Sequence, residues 1–166
     1  MKKILFPCLL ALAACTNIDC PLDNVVVMTS GLYDAEDGSS LSLPVEDELS
    51  IYSATGEHTL LNKATDISSF VLPMRHGVGT DTLLFHFSNT DSQEAIDTLF
   101  LTYTDNPHFE SVDCPAALFH TLTQVRWTSH SLAEMPLTFD SVAIVRPNVN
   151  YDDVENLKIY LRSTVE

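Results

Sequence analysis

The sequence is poor in positive charge. Its 166 residues contain 8 lysines and arginines against 23 aspartates and glutamates, which leaves a formal net charge of −15. A surface of this kind repels the phosphates of nucleic acids and the head groups of anionic lipids. We therefore exclude nucleic acid as a partner and interpret the acidic residues first as a solubilising surface.

Motifs that mark common enzyme and cofactor sites are also missing. The six histidines show neither His-x-x-x-His nor His-Glu-x-x-His spacing, so no zinc site is predicted. There is no Gly-x-Ser-x-Gly elbow, and Gly77 and Gly79 lack the Lys-Ser/Thr pair of a phosphate-binding loop. We expect no cofactor and no catalytic residue, and hence a protein that is not an enzyme.

Long hydrophobic segments are scarce. The apolar segment from Ile4 to Ala14 has 11 residues, whereas a membrane-spanning helix needs about 20. Two lysines precede this segment and small residues end it, which is typical of a secretory signal peptide. Cys15 follows directly, so the segment resembles the lipobox signal of bacterial lipoproteins.

The lipobox resemblance implies that the chain is cut before Cys15 and that this cysteine carries acyl chains. The predicted organisation is a signal peptide over 1–14, a lipidated cysteine with a short tether over 15–23, and one domain over 24–166. Several acyl chains give stable anchoring, whereas one chain binds a membrane only reversibly. The resemblance implies several chains and thus a stable lipid anchor on the membrane.

Most of the remaining sequence alternates between apolar and polar residues, as half-buried strands do. Frequent turn signals separate the strands, and only residues 115–120 are compatible with a turn or two of helix. We predict a single all-β sandwich, immunoglobulin-like, of mostly antiparallel strands. About eight strands are expected, at Val25–Met28, Leu49–Tyr52, Ile67–Leu72, Leu83–Phe87, Ile96–Thr104, Leu122–Thr128, Ser141–Val145 and Leu157–Arg162. Of these, Ile96–Thr104 is apolar on both faces and is predicted to be a central strand.

Two cysteines, Cys20 and Cys114, remain after the signal segment and Cys15 are set aside. In an oxidising compartment such a pair tends to form a disulfide. A bridge would enclose a loop of about 95 residues, which the chain-entropy model values at about 4–5 kcal/mol before native strain is subtracted. The alternative is two buried free thiols.

One segment partly matches a calcium-binding loop. Side-chain oxygens occur at Asn148, Asn150, Asp152, Asp153 and Glu155. The sixth position of a calcium loop is glycine and the twelfth is glutamate, and both fail here. We interpret the segment as an Asx-rich turn between two strands, with a weak cation site as the alternative.

The single tryptophan, Trp127, is the only other candidate for ligand binding. Sugar-binding sandwiches often present an exposed aromatic ring as a stacking platform. A lone tryptophan in a strand is more often a core anchor, and we favour that interpretation.

The later part of the chain resembles a known group of proteins. The segments Leu101-Thr102-Tyr103, Asn106 to Cys114, Phe119-His120-Thr121, Pro147 to Asn150 and Glu155 to Tyr160 resemble a family of small uncharacterised lipoproteins of Bacteroidetes-type bacteria. The resemblance implies a Gram-negative envelope and a mature domain with cysteine at both position 20 and position 114. It implies no activity.

These observations predict a non-catalytic lipoprotein of the outer membrane, facing the periplasm or the cell surface. We expect it to bind or scaffold another protein of the envelope. The first alternative is a glycan- or calcium-binding module, based on Trp127 and the Asn148–Glu155 turn. The second is a hydrolase whose carboxylate or histidine pair is assembled from different strands.

Overall fold

A computed structural model describes residues 26–54, 58–111 and 114–163, in which all regular structure is β-strand. The ten strands are β1 (Val27–Asp34), β2 (Asp47–Ser53), β3 (Thr59–Ala64), β4 (Ser69–Pro73), β5 (Thr80–Asn89), β6 (Glu94–His108), β7 (Ala117–Thr128), β8 (Leu137–Ile144), β9 (Asn148–Val149) and β10 (Glu155–Ser163). They form a four-stranded sheet in the order β4-β1-β10-β8 and a six-stranded sheet in the order β3-β2-β5-β6-β7-β9. In this part of the chain no helix meets the length and hydrophobicity of a membrane span.

The apolar members of the alternating strands form the core between the two sheets. Ile159 of β10 and Phe85 and Phe87 of β5 are fully buried. Both phenylalanine rings meet the ring of Phe139 on β8 edge-on, with centroid distances of 4.9 Å and 6.1 Å. Because β8 belongs to the other sheet, these contacts join the two layers and confirm the predicted all-β sandwich. Its immunoglobulin-like strand arrangement stays a prediction.

All eight predicted strands are present, and two more occur that were not predicted. Strand β3 is an edge strand in which no residue is fully buried, so its sequence does not alternate in hydrophobicity. Strand β9 has only two residues and pairs with His120 and Thr121 of β7. Both strands form because a neighbouring strand offers backbone hydrogen bonds. Such bonds do not depend on side-chain identity, so the sequence shows no alternating pattern there.

One local prediction was wrong. The segment compatible with a helical turn, residues 115–120, instead leads into β7, whose first residues pair with Pro107 and His108 of β6. Because β6 is 15 residues long, pairing with its far end outweighs the weak local preference for helix. Strand β6 is central, as predicted, but its outer face is not buried, and the side chain of Ile96 is 51 % exposed.

The pairing of β1 with β10 is parallel, and every other pairing among the described strands is antiparallel. Gly31 lies in β1 beside Glu155 of β10. A Cβ atom at Gly31 would overlap the Glu155 carboxylate, which accepts hydrogen bonds from the Tyr33 hydroxyl at 2.9 Å and 3.1 Å. Because glycine has no side chain, the Glu155 carboxylate can lie close to the backbone of β1 at this position.

Candidate functional site

The outer face of the six-stranded sheet carries two carboxylates at one end, Glu48 of β2 and Glu94 of β6, and the Glu94 carboxylate lies 3.3 Å from Nε2 of His86. Over the rest of β5, β6 and β7 this outer face carries no carboxylate. We call this surface the carboxylate-free face. It is formed by Thr82 and Leu84 of β5, Ile96, Thr98, Phe100 and Thr102 of β6, and Gln124, Arg126 and Thr128 of β7, which lie side by side in the strand register.

Apart from Glu94, the acidic residues of these strands point the other way. Successive side chains of a strand alternate between the two faces of a sheet. Asp81 of β5 and Asp97 of β6 occupy inward positions and are 6 % and 0 % exposed. Six further carboxylates lie in the segment 34–48, and of these Glu48 belongs to the acidic end of the same outer face. In a chain with a net charge of −15, the carboxylate-free face is therefore locally distinct.

Apolar and cationic groups lie at the centre of this face. The guanidinium of Arg126 lies over the ring of Phe100, 5.5 Å from its centroid. Among the residues that the structure describes, no carboxylate forms an ion pair with Arg126. Exposed Ile96 lies on the same strand as Phe100, so the face combines apolar surface, hydroxyl groups and one positive charge.

On the inner side of the same strands, the carboxylate of Asp97 is fully buried. It accepts hydrogen bonds from the backbone N–H of His130 (2.6 Å), the hydroxyl of Thr138 (3.0 Å) and the backbone N–H of Phe139 (2.8 Å). Nδ1 of His130 lies 2.8 Å from the carboxylate, and Nε2 faces the carbonyl oxygen of Met135 at 3.2 Å. Both ring nitrogens are therefore engaged, and the bonds of Asp97 to Thr138 and Phe139 join β6 to β8.

A second pair, Asp105 of β6 and His120 of β7, lies near the other end of the sheet. Nδ1 of His120 is 2.8 Å from the carboxylate, whose second oxygen accepts the backbone N–H of Gly77 at 2.6 Å. The side chain of His120 has no exposed surface, and its Nε2 has no hydrogen-bond partner among the described atoms. The rings of Tyr103 and His76 lie 5.3 Å and 5.8 Å from its ring. A substrate could reach Nε2 only if these groups moved.

The fold shifts the pKa values of Asp105 and of the neighbouring Tyr103. Burial alone raises the pKa of Asp105, but the Gly77 N–H and the His120 ring lower it by more, so the pKa lies below its usual range. Burial, with the nearby charges of Asp81 and Asp105, raises the pKa of the Tyr103 hydroxyl to about 12. The ionised form of Asp105 is thus favoured by the fold.

This lowered pKa predicts a dependence of stability on pH. A carboxyl whose pKa is lower in the folded than in the unfolded state stabilises the fold above the unfolded pKa, and the contribution is lost as the pH falls through the folded pKa. We expect Asp105→Asn to lose about 1 kcal/mol at pH 7 and to depend less on pH in the acid range. Urea unfolding between acid and neutral pH measures this, with Asp140→Asn, an equal charge change at an exposed site, as control. An Asp105→Asn curve parallel to the wild type would contradict it.

An open cleft of about 430 Å³ adjoins this pair through Arg75, whose backbone carbonyl accepts the Tyr103 hydroxyl at 2.7 Å. Ser53, His58, Arg75 and Asp81 line it together with apolar residues. Burial raises the pKa of Asp81. Within the described part of the chain, no histidine ring is hydrogen-bonded to Arg75 or Asp81.

The residues considered for calcium do not converge on one point. Asn150 accepts the backbone N–H of Asp152 at 3.0 Å, and Asp153 has a left-handed backbone with φ of 46°. Asp153 and Glu155 accept hydrogen bonds from hydroxyl groups of β1, and Asn148 from a hydroxyl of β7. The bond between Asp152 and Asn150 is that of the predicted Asx turn, whereas the others join the turn to neighbouring strands. Among the described residues no group of three or more His, Cys, Asp or Glu could hold a metal.

Trp127 lies on the inner side of β7. It pairs in the sheet with fully buried Leu99 and packs, half-buried, against the core. This position favours the core anchor over the stacking platform.

Of the predicted lipid and disulfide positions, only Cys114 lies within the described residues. Cys15 and Cys20 lie outside the described residues, as do the signal segment 1–14 and the tether 15–23. Cys114 is half-buried in a turn before β7, where its N–H donates to the Ser111 carbonyl at 3.4 Å. Lipidation and the bridge therefore stay predictions.

Sequence reasoning missed both Asp–His pairs and the carboxylate-free face. A signal for the first pair was available, because Asp97 occupies an inward position in the alternation of β6. Its partners lie 33 and 42 residues further along the chain, and no local pattern links them. The face could not be found without the register that places β5, β6 and β7 side by side.

Comparison with known proteins identifies the chain only at the level of a family. A model of a family of unknown function, DUF6452, matches residues 48–161. No curated protein and no solved structure matches the chain. The expected resemblance to an uncharacterised family is thus confirmed, while the lipoprotein character and the bacterial group stay predictions. Because the match covers more than half of the sequence, the chain belongs to this family of unknown function.

Proposed function

We propose that this protein is a non-catalytic lipoprotein of the cell envelope that binds another protein through the carboxylate-free face. The observation that carries the proposal is the absence of carboxylates from this face in a strongly acidic chain. Cores of protein interfaces are depleted in charged residues and enriched in aromatic residues and arginine. Phe100 and Arg126, next to exposed Ile96, match that composition.

The arrangement of the histidines supports a non-catalytic role. A general base must lie within hydrogen-bonding reach of the proton that it takes from the substrate. The His130 ring has an oxygen acceptor at each nitrogen, and the side chain of His120 is fully enclosed. Neither pair therefore presents a base to a bound substrate.

The proposed location rests on Cys15. Acyl chains at this position would hold the domain at the outer membrane, facing the periplasm or the cell surface. A short tether over 15–23 keeps the domain near the bilayer, which raises the effective concentration of a membrane-bound partner. A protein partner of the same membrane is therefore the proposed ligand, in preference to a free glycan or calcium.

Two β-branched residues with nearly equal exposure, one on each sheet, allow a matched cross-linking test. A photo-reactive amino acid at Ile96, 51 % exposed on the carboxylate-free face, is compared with one at Val71, 49 % exposed on β4 of the other sheet. We expect one envelope protein to be cross-linked from position 96 and not from position 71. With that protein purified, Ile96→Glu should weaken binding at least tenfold, because a buried unpaired charge is costly. Val71→Glu should leave binding unchanged.

Cys15→Ala is the control for anchoring. This variant should leave the membrane fraction, and the cross-link from position 96 should become weaker. Cross-linking from position 71 instead of 96, or wild-type affinity of Ile96→Glu, would refute the carboxylate-free face as the binding surface. Retention of Cys15→Ala in the membrane fraction would refute the lipid anchor.

A further inference from the structure

Part of the outer edge of β7 has no backbone partner. On one side β7 pairs with β6, and on the other side β9 pairs only with His120 and Thr121. The N–H of Leu122 donates to the carbonyl of Pro147 at 2.8 Å. Beyond that point, over residues 123–128, no backbone group of the described chain is hydrogen-bonded to this edge, and β8 of the other sheet lies close to β7 without pairing with it. We call residues 123–128 the free edge.

The other sheet edges carry features that discourage strand pairing. Strand β3 has an irregular register and a left-handed Lys63 with φ of 45°. Strand β4 ends at Pro73, which has no N–H to donate. On β8 the N–H of Phe139 is bonded to Asp97, and the next residue, Asp140, is an exposed acid. Thr123 is a bulge residue in the pairing with β6, but from Gln124 to Thr128 the free edge has a regular register and no proline, acid or glycine.

Side chains on the two faces of the free edge differ in character. Val125 and Trp127 point inward, are only half-buried and pack against the rim of the core. An added strand with apolar residues facing the same way would cover them. Arg126 points to the outer face, where no described carboxylate pairs with it. Its positive charge would attract an acidic residue placed beside it on an added strand.

We propose that the free edge accepts an extended strand from a partner protein, with apolar side chains over Val125 and Trp127 and a carboxylate beside Arg126. In such strand addition, backbone hydrogen bonds supply affinity and alternate side chains supply specificity. This inference deepens the proposed function and rests on it, because the free edge borders the carboxylate-free face. The partner is thereby defined as a segment in which apolar residues flank an acid in alternation.

A synthetic peptide tests the inference without knowledge of the natural partner. The probe is an acetylated and amidated nine-residue peptide, TVTVDVTVT, added to the purified full-length protein. We expect amide chemical-shift changes, and slower hydrogen exchange, centred on residues 123–128. The same peptide with every backbone nitrogen methylated cannot donate to a ladder and should not bind.

A charge exchange tests the contact with Arg126. Arg126→Glu should weaken binding of the probe about tenfold, and the peptide TVTVKVTVT should recover it. Equal binding of the methylated peptide, shifts centred away from the free edge, or no effect of the charge exchange would overturn strand addition. Cross-linking from Ile96 would still stand in that case, so failure of this inference is distinguishable from failure of the proposed function.

Discussion

Asp97→Ala is expected to destabilise the fold by about 3–5 kcal/mol, because breaking a buried charged pair leaves its partners without compensation. The carboxylate is fully buried, and its oxygens accept hydrogen bonds from His130, Thr138 and Phe139. Domains of this kind have a free energy of unfolding of about 5–15 kcal/mol. The loss is therefore a large share of the total, and urea unfolding measures it.

Two variants make this result specific. Thr138→Val removes one donor from Asp97 and should cost about 1 kcal/mol. Asp140→Ala removes an exposed carboxylate two residues along β8 and should change the free energy of unfolding by less than about 0.5 kcal/mol. An Asp97→Ala variant as stable as Asp140→Ala would show that the buried carboxylate does not hold β6 to β8.

Reduction of the protein is expected to lower its melting temperature markedly. A bridge between Cys20 and Cys114 would restrict a loop of about 95 residues in the unfolded chain, worth about 4–5 kcal/mol before strain. Cys114→Ser should lower the melting temperature by the same amount and should no longer respond to reductant. A wild-type melting curve that reductant leaves in place would count against the bridge.

The strands were predictable because their cause is local. Leu157, Ile159 and Leu161 alternate with polar residues, and all three are at most 1 % exposed. A half-buried strand can be predicted from this period of two alone, and the nine consecutive residues of β10 are enough to show it. The segment 115–120 shows the limit of such reasoning, since pairing with the far end of β6 decided its conformation.

The candidate site was less predictable because its parts come from separate strands. Asp97 was visible as an acid within an apolar segment, but its donors are more than 30 residues away. Arg126 and Phe100 lie 26 positions apart and meet only through the register of β6 and β7. A sequence pattern records which face a residue takes and not which residue lies beside it on the next strand.

The sequence by itself determined the class of fold, the acidic character and the Asx turn over Asn148–Glu155, because alternation, charge and turn chemistry act over a few residues. The tertiary structure alone decided that the inward positions of Asp81 and Asp97 leave the outer face of β5, β6 and β7 free of carboxylates beyond Glu94. It also decided that β9 covers only two residues of β7. Both outcomes depend on long-range strand pairing, whose hydrogen bonds join backbone groups and so leave little trace in the identity of the side chains.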